Sequence, residues 1–278
     1  MAEREIKAWI TINHKHIPLY EGESKQDAYN RAIAKDNEDK KKADIEQNKK
    51  QADKLNGKEV SNVETRTTSM SKTDAAHISS GPYAYFQSWK AFEVNEALRK
   101  SADEEIDLDE ALDSTDIPSS DVDGFKKTIE IMDRNMQPID ESMQVARFAD
   151  KYFLTSVMDK LDFYDGQMIS RLMSDGTPYD PPFLDGSDVK VLKDKLLGAK
   201  ITEASYMSSM YSLDDGAKSV LARPIVFKLS LSKGTKGMFS PTGKESEFVI
   251  ARNSTYEITD IQIGTVNNVP KLIIHAVV

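Results

Sequence analysis

From residue 201 to its end the chain reads as strand-rich, with runs in a period of two, and no other feature constrains its fold as much. Ile225, Phe227, Leu229 and Leu231 alternate with Val226, Lys228, Ser230 and Ser232, the pattern of a half-buried strand. Phe248-Val249-Ile250 is a short apolar strand. Tyr256 and Ile258 alternate, the phase slips at Thr259-Asp260, and Ile261 and Ile263 resume it, as a β-bulge produces. Val266-Asn267-Asn268-Val269 reads as a hairpin turn into a last strand that begins near Leu272. The stretch before this, about residues 74–200, reads mostly as helix. Phe86, Trp89, Val94, Ala97 and Leu98 fill one broad face over residues 82–100, and further helices are expected over 125–135 and 151–161. Residues 102–124 read as an acidic loop. Helices first and strands after predict an α+β fold, not alternating βαβ units.

Residues 1–72 have a different character. A small β-unit opens them, with Trp9 and Thr11 on one side and Ile10 and Ile12 on the other, followed by His16-Ile17-Pro18-Leu19-Tyr20. Ser24-x-x-Asp27 is a capping box for a long charged helix that reaches about Gly57. Its apolar residues (Ala28, Ala32, Ile33) give way to Lys, Asp, Glu and Gln, and no heptad is sustained. Residues 59–72, rich in Ser and Thr, read as a linker. The expected organisation is therefore an N-terminal extension over 1–72 and a folded domain over 73–278.

Composition excludes several function classes. With 37 Lys+Arg against 46 Asp+Glu the net charge is −9, which does not suit a general nucleic-acid binder. No run of ~18 apolar residues is present, so no membrane span is expected. The charged start, Met1-Ala2-Glu3-Arg4-Glu5-Ile6, has no hydrophobic segment of the Sec type. A soluble protein made in a cytoplasm is expected, with a non-Sec route if it crosses a membrane. The absence of Cys excludes disulfides, thiolate chemistry and Cys-based zinc sites. No G-x-G-x-x-G, Walker A, H-E-x-x-H or G-x-S-x-G occurs. Gly234 and Gly237 read as loop hinges. His14 and His16 would share a strand face without a third ligand, and Asp121, Asp123 and Gly124 lack the spacing of a calcium loop, so no metal is expected.

What remains is an order of short elements. Val145-Ala146-Arg147 places an Arg after an apolar pair, and some sixty residues later comes Tyr206-Met207-Ser208-Ser209-Met210. Arg223-Pro224-Ile225-Val226 follows, then a Gly/Lys loop with Phe239, then Glu245-Ser246-Glu247 just before Phe248-Val249-Ile250. In this order the pieces resemble the Arg, Ser-Thr-Ser and Glu-x-Glu motifs of the bacterial exoenzyme-type mono-ADP-ribosyltransferases. The similarity covers about residues 76–278. Residues 83–99, with Asn95 and the Leu98-Arg99 end, resemble the family's helix over its NAD cleft.

The resemblance implies two small perpendicular β-sheets flanked by helices, NAD as the substrate that supplies ADP-ribose, and a protein acceptor. Cleaving the nicotinamide–ribose bond creates an oxocarbenium-like centre, as in glycoside hydrolysis. By resemblance Glu247 is the carboxylate that stabilises that centre and accepts from the ribose 2′-OH. Glu245, two residues earlier on the same strand face, would serve as general base toward the acceptor. The Glu-x-Glu form goes with arginine acceptors. Arg147 and Arg223 are the matching positions for the pyrophosphate, which Arg forks suit better than Lys. Arg171 competes with Arg147 for the first motif. Ser208 would hold Glu247 in place, and Phe239, on an exposed loop, would meet the acceptor.

The chain departs from the pattern at two places: in the Ser-Thr-Ser motif Met210 stands for the third Ser and Ser209 for the Thr, and Val220 stands where many members carry an aromatic against nicotinamide. Tyr83, Tyr85 or Tyr206 would supply that aromatic instead. Residues 1–72 resemble leaders of Gram-positive prophage proteins, which implies an effector carried with a phage particle or acting in the infected cell. An NAD glycohydrolase and a non-catalytic phage module on a degenerate transferase scaffold are the competing readings.

Overall fold

In the computed structural model the predicted N-terminal β-unit is a hairpin of β1 (Ile6–Ile12) and β2 (Lys15–Tyr20), antiparallel with Ile10 opposite Ile17. The structure describes residues 6–12, 15–55, 68–86, 88–163, 165–173, 186–213, 218–241, 246–266 and 269–278. His14, Gly57, Glu245 and the turn residues Asn267 and Asn268 lie outside these. Helix α1 (Lys25–Leu55) starts at the predicted capping box: Asp27 N donates to Ser24 Oγ at 3.1 Å, and Ser24 N donates to Asp27 Oδ2 at 3.2 Å. The hairpin is tied to this helix by Arg31, which forks onto Glu23 at 2.9 and 3.0 Å and donates to Pro18 O at 2.6 Å. Among the residues described there, Ile17, Leu19 and Ala28 are buried apolar ones. Met1–Gln47 form one compact unit and Asn48–Val278 another.

The larger unit opens with helices. They are α2 (Lys72–Ser79), α3 (Ser88–Asp103), α4 (Leu108–Asp113) and, after a 3-10 turn at Ser119–Asp121, α5 (Val122–Asn135). The acidic loop expected over 102–124 thus contains a helix. Asp107 caps it by accepting from Glu110 N at 2.9 Å, Asp109 and Glu110 sit in its first turn near the positive N-terminal end, and Ala111 and Leu112 are buried. Two apolar residues suffice to dock so short a helix, and they are hidden in an acidic composition. Helix α5 begins at Val122, earlier than expected, and includes Gly124. A Cβ at Gly124 would lie 2.5 Å from the Tyr83 ring, so that ring packs where another residue's side chain would stand.

Strands β3 (Gln137–Pro138) and β4 (Met143–Ala149) interrupt the helical region, and Arg147 lies on a strand. Helices α6 (Lys151–Lys160), α7 (Gly166–Met173) and α8 (Gly186–Leu196) follow. The remaining elements are β5 (Lys200–Glu203), β6 (Met207–Met210), α9 (Lys218–Leu221), β7 (Ile225–Leu231), β8 (Lys236–Phe239), β9 (Glu247–Ile250), β10 (Ser254–Val266) and β11 (Val269–Val277). The predicted bulge is present, with the register slipping between Ile258 and Asp260, and Val266 pairs with Val269 across the predicted hairpin turn. Strand β7 is buried on both faces, not one: Ile225, Phe227, Leu229 and Leu231 enter the main core, and Val226 packs on the other side in a cluster with Phe148 and Ile273.

Among the described residues the strands run β3-β8-β9-β6-β4-β7-β11-β10-β5. The run has two parts. Four strands on one side and five on the other are joined where β6 meets β4, through the single pair Ala146–Met210. The main core takes side chains from both parts, including Phe227, Phe248, Ile258 and Ile274. Helices α3 and α5 cover a second core with Tyr85, Tyr206 and Val249. No helix among the described residues is long and apolar enough to cross a membrane.

Strand β8 approaches β9 closely at Gly237, where a Cβ would meet Phe248 Cζ at 2.3 Å and the Val249 carbonyl oxygen at 2.7 Å. Gly237→Ala is therefore expected to destabilise the larger unit by about 1–3 kcal/mol through overpacking, seen as a melting temperature several degrees lower. An unchanged melting temperature would show that β8 and β9 separate without strain.

Candidate active site

Glu247 opens β9 and Ser208 lies in the neighbouring strand β6. Ser208 pairs with Val249 and Met210 with Glu247, which sets the two polar side chains on one face, a diagonal apart. Ser208 Oγ donates a hydrogen bond to Glu247 Oε1. The exposed Ser208 hydroxyl thus orients a half-buried carboxylate. The main chain around Glu247 is fixed as well. Tyr211 N donates to Ser246 O at 2.9 Å, Ser240 N donates to Glu247 O at 3.0 Å, and buried Ser209 Oγ donates to Phe248 O at 2.7 Å. Ser246, just before the carboxylate, has a φ of +47°, a left-handed conformation uncommon for serine. The two adjacent serines therefore differ: one holds the carboxylate, the other the strand that carries it.

Arg147 projects from β4 on the side of Val145 and Ala149, with its guanidinium carbon 4.8 Å over the Phe153 ring. It makes no hydrogen bond or ion pair among the described residues. Burial works against its charge, the Glu203 carboxylate supports that charge, and Arg99 opposes it. Glu203, at the end of β5, is buried, and its Oε1 accepts from Arg99 Nε at 3.0 Å, Ser205 N at 3.1 Å and Ser205 Oγ at 2.7 Å. Burial alone would raise the Glu203 carboxyl, but Arg99, Arg147 and the Ser205 bonds together hold it below the usual carboxylate range.

Helix α3, β4 and β5 thus bring two guanidiniums and one carboxylate together, an excess of one positive charge in a poorly hydrated place. That donor set fits the diphosphate of a dinucleotide, which needs fixed, forked cations. Sequence reasoning named Arg99 only as the end of a helix and missed Glu203. Their pairing spans 104 residues, and no local spacing announces it. Among the described residues no group of three His, Asp or Glu is placed to hold a metal.

The other predicted residues are distributed as follows. Tyr85 is buried. Its hydroxyl accepts from Asn95 Nδ2 at 3.1 Å, its ring meets Tyr206 edge-on at 5.5 Å, and its ionisation is suppressed by burial and, further, by Glu247. It is a neighbour of the carboxylate in charge terms but a core residue in packing. Tyr206 is also buried and donates to Asp133 Oδ1 at 2.7 Å. Tyr83 packs elsewhere, edge-on to Phe125 at 5.5 Å. Arg223 is half-buried just before β7 and donates from Nη1 to Phe148 O at 3.1 Å, one residue past Arg147; its own carbonyl accepts from Lys271 Nζ at 2.7 Å.

Phe239 ends strand β8, half-buried against Phe248 at 4.9 Å and Tyr211 at 5.4 Å, instead of standing on an exposed loop. Its N–H donates to Thr68 Oγ1 at 2.8 Å. Arg171 lies in α7, not on a strand, and its side chain is outside the described residues. Glu245 is likewise outside them.

A sequence model of the ADP-ribosyltransferase exoenzyme family matches residues 80–278. No curated protein sequence matches the chain. Among solved structures, an ADP-ribosyltransferase from Clostridium botulinum is similar, with 21% identity and a TM-score of 0.53 over 80% of this chain and 98% of that one. An ADP-ribosyltransferase toxin from Paenibacillus larvae has 19% identity and a TM-score of 0.52 over 86% and 96%. The C3 exoenzyme of Clostridium limosum has 22% identity and a TM-score of 0.51 over 76% and 87%. These likenesses establish the fold.

The buried Glu203 also sets a pH dependence. Its folded-state pKa lies below the unfolded value of ~4.3, so its contribution is fully present above that pH and is lost as pH falls through the folded pKa. Glu203→Gln should cost about 2 kcal/mol at neutral pH, less than a fully buried pair because the Arg99 side chain keeps 27% exposure. The gap to wild type should close as the pH falls below about 4. Denaturant unfolding of both proteins across that range checks this, and a gap independent of pH would refute it.

Proposed function

The chain belongs to the ADP-ribosyltransferase exoenzyme family, and from that premise we propose that it transfers ADP-ribose from NAD to an arginine side chain of a protein, with release of nicotinamide. The observation that carries the reading is the Ser208–Glu247 contact, a carboxylate held by a hydroxyl on adjacent strands. Breaking the nicotinamide–ribose bond develops positive charge at the sugar carbon, and the bonding pair leaves with nicotinamide. Glu247 is the group that stabilises this charge and accepts from the ribose 2′-OH. Arg147 and Arg99 face the diphosphate, and Arg223 braces the strand end beside Arg147.

A guanidinium is a weak nucleophile until it gives up a proton, and Glu245 is the base that takes it as the nitrogen bonds to the sugar carbon. The Glu-x-Glu order supports arginine as the acceptor. Phe239, in a ring cluster beside this segment, bears on the acceptor through the shape of the β8 end. The leader-like sequence of residues 1–72 supports an association with a phage particle. Co-sedimentation with purified virions tests it, and a protein found only in the unassembled fraction would overturn it.

Labelled NAD incubated with the full chain and a lysate tests the transfer. Glu247→Gln should lose at least ~10²–10³ in turnover, the range for removing one preorganised charge stabiliser, while NAD binding changes little. Glu245→Gln should lose protein labelling and keep NAD cleavage. Mass spectrometry of the labelled band should place the modification on arginine, and another residue type would refute that assignment. Nicotinamide release without any labelled protein would identify a glycohydrolase instead.

A further inference from the structure

A line of aromatic edges runs from Arg147 to Tyr256. The Arg147 guanidinium lies 4.8 Å over Phe153, Phe153 meets Phe227 edge-on at 5.2 Å, and Phe227 meets Tyr256 edge-on at 6.1 Å. Tyr256 is 1% exposed, packs in the main core on β10, and its hydroxyl has no hydrogen-bond partner among the described residues. Leaving a buried polar group unpaired is costly, and phenylalanine would fill the same space without that cost. The charges that bear on this hydroxyl are those of Arg147, Glu203 and Arg99.

Two of those three groups also have hydrogen-bonding capacity that the described residues do not use. Arg147 makes no hydrogen bond among them, and the three described bonds to Glu203 all end on Oε1. A buried hydroxyl, a guanidinium and a half-used carboxylate on one side of the sheet thus form a polar cluster whose last bonds are not made among the described residues.

We propose that Tyr256 is a positioning residue for Arg147 in NAD binding. When the guanidinium turns to the diphosphate, the Tyr256 hydroxyl accepts a hydrogen bond from one of its N–H groups. A guanidinium carries five N–H donors, enough to face a diphosphate and a phenol at once. Fixing one of them on a rigid core residue sets the plane of the fork and reduces the freedom that binding removes. The ligand in this proposal rests on the family reading; the residue rests on its own packing.

The test compares Tyr256→Phe with wild type in the full chain, by thermal unfolding with and without NAD and by steady-state kinetics. Without NAD the variant should melt at or above the wild-type temperature, because the removed hydroxyl has no partner and the ring remains. With NAD its stabilisation should be smaller. The KM for NAD should rise about tenfold, the worth of one hydrogen bond to a charged group, with kcat within about twofold. A variant that melts lower without NAD overturns the proposal, since the hydroxyl is then bonded in the resting protein. An unchanged KM and an unchanged NAD-dependent shift overturn it too, as does a fall in kcat at constant KM. If wild type itself gains no stability from NAD, the family reading fails and the proposal with it, an outcome distinct from failure of Tyr256 alone.

Discussion

One residue pair, Ala146 with Met210, joins the two parts of the main sheet, and the candidate site is built at that join. Glu247 sits opposite Met210 on one side, and Arg147 follows Ala146 on the other. A ladder of a single pair contributes little stability by itself, so the geometry of the site depends on what clamps the join from outside. Helix α3 supplies one clamp. Asn95 donates to Tyr85 and accepts from Tyr206 N at 3.1 Å, and four residues on, Arg99 holds Glu203 at the end of β5. Helix α5 supplies another, with Asp133 accepting from Tyr206 Oη and from the Arg252 fork at 2.7–3.1 Å. Both clamps close on residues 203–206, the segment from which β6 runs into Ser208. The placement of Ser208, and through it the orientation of Glu247, is set by helices that precede both in sequence by more than seventy residues.

The same arrangement answers a problem of charge. A chain of net charge −9 that takes an anionic substrate is repelled from it at long range. That repulsion is screened within about 8–10 Å at physiological salt, so affinity must come from a local, preorganised excess of positive charge. Two guanidiniums around one buried carboxylate give such an excess while keeping the like charges from destabilising the fold. Removing the carboxylate leaves the two cations uncompensated; removing a cation leaves the carboxylate buried alone. The site and the stability of its surroundings are therefore coupled through Glu203.

Period-two alternation made the strands of the C-terminal third legible, down to the slip at Thr259-Asp260 and the turn after Val266, because side-chain alternation is fixed by backbone geometry alone. The Ser24–Asp27 cap was legible for a similar reason: both partners lie within one turn. Strand β7 read as half-buried because Lys228 and Ser230 suggest a wet face, whereas that face also carries Val226, packed in a cluster with Phe148 and Ile273. Helix α4 was hidden by its acids, and Phe239 by the turn-rich residues that follow it. The Arg99–Glu203 pair and the unpaired Tyr256 hydroxyl were beyond reach, since both exist only when segments distant in sequence meet. Motif order singled out a carboxylate and a serine that meet across β6 and β9, and packing shows which groups surround them.

The two departures from the family pattern bear on this directly. Met210 and Val220 lie in one apolar cluster with Phe148, Val226 and Ile273. A thioether in place of a hydroxyl adds volume there, and a valine in place of an aromatic removes it. Cores accept paired exchanges that conserve volume far better than either change alone, and methionine in particular fills irregular gaps. The two positions thus meet in one apolar cluster, where methionine's flexible side chain can follow the shape its neighbours leave. The hydrogen bond to Glu247 comes from Ser208, not from position 210, so the exchange leaves the carboxylate's orientation intact. What it alters is the cross-strand neighbour of that carboxylate, which becomes apolar and flexible where a second hydroxyl would have been polar and fixed.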